Sequence, residues 1–388
     1  MTDDNTNTDT IETYTDFDDL GLSDKLLRGV FANGFEKPSA IQQKAIKPVI
    51  DGKDVIAQAQ SGTGKTGTFL IGSLQRVDLS LKVPQVIVLA PNRELAIQIH
   101  SVMESLNTFL KVKSALLIGG TTISSNFRLL DEGVQFIVGT PGRVYDMIKR
   151  YALKTNDIKT FILDEADEML SRGFKDQIYE ICQFIPKESQ ICIFSATLPN
   201  ETLEVTEKFM NNPIKILVKK ETLTLEGIQQ FYLGLEQETW KVATLLDLFD
   251  RLSISQSIIF CNSKRKAEHI KEQLALNGHV VHYIHGELTQ DERNKIMSQF
   301  RAGEIRILIS TDIIARGIDI QQVSIVINYD IPRFKESYIH RIGRSGRYGR
   351  KGTAINFVTE KEYQNLKEIM EFYNTNIEPL PENIKEIL

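Results

Sequence analysis

Ala59-Gln60-Ser61-Gly62-Thr63-Gly64-Lys65-Thr66 follows the apolar run Asp54-Val55-Ile56-Ala57 and precedes a helical pattern. A strand, a glycine-bearing turn and a helix in that order are the setting of a triphosphate cradle. Gly62 and Gly64, with Ser61 and Thr63 beside them, let successive backbone N–H groups turn toward phosphate oxygens. The new helix adds the positive end of its dipole, Lys65 reaches the β- and γ-phosphates, and Thr66 offers a hydroxyl to Mg²⁺. The usual fingerprint begins with glycine where this chain has Ala59, so the strict pattern fails by one methyl group. A Gly/Ser/Thr loop that merely joins strand to helix is the alternative.

A second segment weighs against that alternative. Thr160-Phe161-Ile162-Leu163 reads as a short buried strand that delivers Asp164-Glu165-Ala166-Asp167 at its C-terminal end, where parallel sheets place their ligands. A divalent cation beside a nucleotide explains such a density of carboxylates. Asp164 would hold Mg²⁺ directly or through water, while Glu165 would polarise the water that attacks the γ-phosphate. An acidic first helical turn, favoured by the helix dipole, accounts for the same residues without chemistry.

Outward from these segments the grammar is uniform. The runs Val86-Ile87-Val88-Leu89, Ala115-Leu116-Leu117-Ile118, Phe136-Ile137-Val138, Ile191-Cys192-Ile193-Phe194 and Ile214-Lys215-Ile216-Leu217-Val218 alternate with helical patterns, the signature of an α/β parallel sheet. Residues 219–228 are mostly charged and polar and read as a linker. The pattern then resumes with Ser257-Ile258-Ile259-Phe260, Val280-Val281-His282-Tyr283, Arg306-Ile307-Leu308-Ile309, Val323-Ser324-Ile325-Val326-Ile327 and Ala354-Ile355-Asn356-Phe357. The expected organisation is an acidic disordered leader over 1–15, a domain over 16–218 and a second over 229–388. The second has no phosphate loop of its own and would complete a site on the first. His340-Arg341-Ile342-Gly343-Arg344-Ser345-Gly346-Arg347 supplies the means, with Arg344 and Arg347 as arginine-finger candidates; a solvated basic turn is the other reading.

Composition bounds the rest. At 388 residues, 41% hydrophobic and 25% charged, the chain exceeds one hydrophobic core and is not wholly disordered. No apolar run approaches a membrane span, and a formal charge of −5 provides no global field for a polyanion, which must be gripped locally. The three cysteines, Cys182, Cys192 and Cys261, lie in apolar surroundings without metal-type spacing and read as buried free thiols of a reducing compartment. His269, His279, His282 and His285 read as helix and strand surface residues, and Trp240 as a core or surface anchor.

With these residues in view, the chain resembles the DEAD-box RNA helicases of helicase superfamily 2 from about Phe17 to its C-terminus. The resemblance implies two tandem RecA-like parallel-sheet domains. It implies that Phe35 stacks on adenine and Gln42 bonds the base edge, although both could be core residues. Pro91, Arg93, Gly120, Thr140 and Arg143 would contact the RNA backbone, with Asn92 departing from the usual threonine between Pro91 and Arg93. Ser195 and Thr197 would bond Asp167 and, with His340, couple hydrolysis to strand separation. In the second domain Asn262, Gly286, Gln290, Arg293 and Thr311 resemble RNA contacts, and Asp319 would meet the ribose.

Within the family the chain is most similar to translation initiation factor 4A and its nuclear relative in the exon junction complex. This similarity implies an RNA-stimulated ATPase that uses ATP and Mg²⁺, closes a cleft on single-stranded or short duplex RNA without reading its sequence, and unwinds locally. An ATP-gated RNA clamp that serves as a platform for partner proteins is the alternative. The resemblance further implies a scaffold partner of the initiation-factor 4G type, a monomer without membrane attachment, and a cytoplasmic location with the nucleus left open.

Overall fold

The computed structural model describes residues 12–381 except 60–62, 172, 199–201, 203, 205–207, 218–227, 252–255, 313–322 and 346–351. Ser61, Gly62, Asp319 and Arg347 therefore lie outside the described residues, as does most of the expected linker. The chain divides into two compact units, the first ending at Leu217.

In the first unit the apolar runs become seven parallel strands in the order β3-β4-β2-β5-β6-β1-β7. These are β1 (Val55–Gln58), β2 (Val86–Leu89), β3 (Ser114–Leu117), β4 (Phe136–Gly139), β5 (Thr160–Asp164), β6 (Gln190–Ser195) and β7 (Ile214–Leu217). Parallel strands need crossover helices, which cover both sheet faces, so the central strands must be apolar on every residue. β2 and β4 are buried throughout. The register sets Ala57 beside Phe194 and Val88 beside Ile162. β5, β6 and β1 are consecutive in the sheet, so their C-terminal ends deliver the acidic segment, Ser195 and the phosphate loop side by side. β3, β4 and β2 deliver theirs on the other half of the same edge.

The second unit repeats the plan as β10-β11-β9-β12-β13-β8-β14, again parallel. It comprises β8 (Ile228–Leu235), β9 (Ser257–Phe260), β10 (Val281–Ile284), β11 (Ile307–Ser310), β12 (Ile325–Asn328), β13 (Gly352–Thr359) and the two-residue β14 (Glu378–Pro379). β8 and β14 had no sequence signal. Within β8 only Phe231 is buried, and Gln229, Gln230 and Gly234 interrupt its apolar face. The strand forms because β13 pairs along its whole length and Asn356 Nδ2 donates to the Phe231 carbonyl at 2.9 Å. Val323 makes only an isolated bridge to Ser345, so β12 begins later than its apolar run.

The C-terminal helix Glu360–Tyr373 starts with a Thr359/Glu362 capping box and buries Leu366, Ile369 and Tyr373 against Tyr338, Ile339 and Ile342. The three cysteines are free and buried, and burial pushes the Cys182 thiol up to about 12. One histidine departs from expectation: His285 is buried, its ring stacked on Tyr283 at 5.3 Å, because it directly follows the C-terminal end of β10. Trp240 is 46% exposed, a surface residue. Among the described residues no helix is long and apolar enough to cross a membrane.

Candidate nucleotide site and nucleic-acid contacts

The described end of the phosphate loop is shaped by what precedes it. Gly64 has φ +101°, open to glycine and strained for other residues, and caps α3 (Lys65–Gln75). Ser39 Oγ donates to the Thr63 carbonyl at 2.7 Å, and Gln42 Nε2 donates to the Gly64 carbonyl at 3.3 Å. Ser39 and Gln42 are also the capping box of α2 (Ala40–Ile50), the Ser39 N–H donating to Gln42 Oε1 at 2.8 Å. The Gln42 side chain, expected to read a base edge, is buried and braces the loop. A Cβ on Gly64 would lie 2.7 Å from Ser39 Oγ. Phe35 is half-buried and meets Phe17 edge-on at 6.3 Å, near Gly67 of α3.

Across from the loop, β5 ends at Asp164 and Glu165 adopts φ +52° before α7 (Ala166–Ser171) begins. This left-handed elbow is a conformation that non-glycine residues hold only where the surroundings enforce it. It lets Lys65 Nζ donate to Glu165 Oε1 at 3.3 Å with both side chains buried. Asp164 accepts the Glu165 N–H at 3.1 Å. Burial, and then the Glu165 charge, raise the Asp164 carboxyl well above the usual carboxylate range, while Lys65 pulls it down. A hard cation bound there would relieve that stress. Asp164 and the half-buried Thr66 hydroxyl are oxygen donors of the type Mg²⁺ takes, so the residues present fit the ion.

Asp167 connects this segment to β6. Thr197 Oγ1 donates to Asp167 Oδ2 at 2.6 Å, and the Asp167 N–H donates to Ser195 Oγ at 3.3 Å. Ser195 thus holds the backbone of the acidic segment and Thr197 its carboxylate.

On the β3-β4-β2 half of the edge, Pro91 is buried and Arg93 opens α4 (Arg93–Leu106) with its guanidinium against Gly119 and Gly120. Gly120 is exposed at φ +88°. Thr140 precedes α6 (Pro141–Lys149), whose Arg143 donates to the Thr121 carbonyl at 3.0 Å and to Asn126. Arg143 therefore fastens the turn after β3. Asn92 caps α4 by accepting the Leu95 N–H at 2.9 Å, which threonine can also do. Asn92→Ala is expected to lower stability by about 1 kcal/mol and Asn92→Thr by only a few tenths; thermal unfolding checks this, and equal losses would assign Asn92 another role.

In the second unit Asn262, Gly286 and Thr311 follow β9, β10 and β11, three neighbouring strands. Gly286 is exposed, Thr311 is half-buried and Arg293 is buried on the helix Gln290–Arg301; the Gln290 side chain lies outside the described residues. Both amide groups of Asn262 have protein partners: Nδ2 donates to the Ile331 carbonyl at 2.8 Å and Oδ1 accepts from Arg341 Nη2 at 2.8 Å. His340 and Arg344 are buried at the end of the helix Lys335–Ile342, where Arg344 Nε donates to the His340 carbonyl at 3.2 Å. Arg341 and Ser39 carry tertiary contacts that no local motif announces.

Residues 39–205 match the DEAD/DEAH box helicase family and residues 240–349 the helicase conserved C-terminal domain. The chain is 55% identical to eukaryotic initiation factor 4A of Drosophila melanogaster, covering 97% of this chain and 94% of that protein. It is 57% identical to the ATP-dependent RNA helicase eIF4A of Kluyveromyces lactis, covering 96% and 94% respectively. It is similar in structure to S. cerevisiae Dbp5 bound to RNA and ADP BeF3, with TM-score 0.88, 38% identity and coverage of 94% and 95% of the two chains.

Proposed function

The chain belongs to the DEAD/DEAH box helicase family, and from that premise we propose that it is an ATP-dependent RNA helicase of translation initiation. The observation that carries the chemistry is the buried Lys65–Glu165 pair beside Asp164, beyond the ends of β1 and β5 on either side of β6. ATP phosphates take over Lys65, which releases Glu165 from its ion pair. Glu165 then accepts a proton from the water that attacks the γ-phosphate, giving ADP and phosphate. Asp164 and Thr66 would hold Mg²⁺, which when bound would supply charge neutralisation for the triphosphate. Ser61, Gly62, Thr63 and Gly64 cradle the phosphates, Phe35 packs on the adenine, Gln42 reads its edge while bracing the loop, and Asp319 meets the ribose.

The second unit contributes Arg344 and Arg347 to the transferring phosphate when the units close, and Asp167, Ser195, Thr197 and His340 couple that event to RNA. Arg93, Gly120, Thr140 and Arg143 on the first unit and Asn262, Gly286, Gln290, Arg293 and Thr311 on the second grip the RNA backbone, which positions a strand without reading it. Local opening of short duplexes results, in the cytoplasm and with a scaffold of the initiation-factor 4G type. The names borne by relatives at 53–57% identity favour this cycle over a lasting clamp.

Strand displacement on matched short RNA and DNA duplexes, with ATP turnover recorded in parallel, tests the proposal. RNA strands should be displaced and should stimulate turnover, and DNA should do neither. Equal stimulation by DNA, or RNA held for many minutes with ATP and never displaced, would overturn it.

A further inference from the structure

Phe334 is out of place on two counts. It is 52% exposed, and it occupies the position that opens the helix Lys335–Ile342, with extended backbone and no side-chain cap. Helix starts favour Ser, Thr, Asp or Asn, whose side-chain oxygen accepts a free backbone N–H, so phenylalanine there forfeits stability. Packing offsets little of that loss when more than half of the residue is open to solvent. A residue that breaks a local rule without compensation marks a functional position. Its chain neighbours are both cations. Lys335 pairs with Glu368 at 3.2 Å, whereas Arg333 is exposed and has no ion-pair partner among the described residues.

The exposed tip stands on a fixed root. Ile331 and Pro332 are buried, the Ile331 carbonyl accepts Asn262 Nδ2 at 2.8 Å, and Asp330 Oδ2 accepts the Asn262 N–H at 2.7 Å. β9 and β12 are paired neighbours, so the Asn262 turn and residues 330–334 leave the same edge of the sheet side by side. We propose that Phe334 is a stacking platform for one nucleobase of the single RNA strand whose backbone Asn262 holds, with Arg333 on an adjoining phosphate. Every base has a π-face, so an exposed ring accepts any of them, and a guanidinium beside the ring suits the phosphate that comes with it. Flanking cations fit a polyanion better than an apolar protein surface. The strand thereby gains a base contact without a sequence code. The inference rests on the RNA-helicase reading above.

Binding of a fluorescent single-stranded oligoribonucleotide to the full chain is measured with a non-hydrolysable ATP analogue present. Phe334→Ser should weaken binding about tenfold, within the range of one base–aromatic stack, and raise the unfolding temperature by about 2–4 °C, because serine caps the helix. Phe334→Trp should bind at least as tightly as wild type. Arg333→Gln should flatten the slope of log affinity against log salt by about 0.7, the share of one phosphate contact, while Phe334→Ser leaves the slope unchanged. Oligonucleotides that each lack one base complete the test: in wild type one abasic position costs about tenfold, and in Phe334→Ser that loss disappears. The abasic series decides whatever the sign of the stability change. Wild-type RNA affinity in Phe334→Ser, or abasic losses that are the same in both proteins, overturn the proposal. A wild-type chain that binds no RNA with the analogue would instead overturn the helicase reading itself.

Discussion

Glu165→Gln lowers RNA-stimulated ATP turnover by about 10²- to 10⁴-fold, the range expected for loss of a positioned general base, while ATP binding is retained or tightened. Glutamine fills the same space and leaves the φ +52° elbow in place, so the fold of the site is kept. What changes is the charge facing Lys65. In the wild-type chain the ammonium donates to Glu165 Oε1 at 3.3 Å with both groups buried, and arriving phosphates must compete for it. The amide is a weaker competitor, so ground-state binding does not suffer while the proton acceptor for the attacking water is gone. Single-turnover hydrolysis beside nucleotide binding separates the two effects. A rate within a few-fold of wild type would remove Glu165 from the chemistry, and weakened ATP binding with an unchanged rate would make it a structural partner of Lys65.

How much of this was written in the sequence depends on whether a residue's task is local. Strands buried on both faces must be continuous apolar runs, so β2, β4 and β9 could be read directly. β8 could not, because its stability comes from β13 beside it and not from its own pattern. The phosphate loop was legible since glycine is required where φ is +101°, as at Gly64. The Ser39 and Gln42 braces were not, because a capping box looks the same whether or not it also holds a loop. Arg143 and Arg341 illustrate the same boundary. That Arg143 donates to Thr121 and Asn126, and Arg341 to three loop ends, leaves no mark in the local sequence. Which partners a guanidinium finds depends on strand order, and strand order is not a property of any one segment.

Arg344→Ala reduces RNA-stimulated turnover by about 10³- to 10⁵-fold, the cost of removing an arginine finger from a phosphoryl-transfer site. The expectation rests on preorganisation as much as on charge. Residues 343–345 form a tight turn in which the Gly343, Arg344 and Ser345 N–H groups donate to the Ile339, Arg341 and Ile342 carbonyls, and Val323 bridges Ser345 on the far side. The first part of the side chain is fixed as well, since Nε donates to the His340 carbonyl at 3.2 Å and the residue is 2% exposed. A cation presented by so constrained a backbone has little left to reorganise when charge develops on the transferring phosphate, which is where an enzyme gains most. Alanine removes the cation and leaves the turn. Lysine restores a point charge without the planar fork, so Arg344→Lys should recover only part of the rate. Nucleotide affinity measured without RNA should be close to wild type in both variants, because Lys65, Thr66 and Asp164 belong to the other unit. RNA-stimulated turnover retained in Arg344→Ala would show that the transferring phosphate is stabilised without this residue and would withdraw the finger assignment.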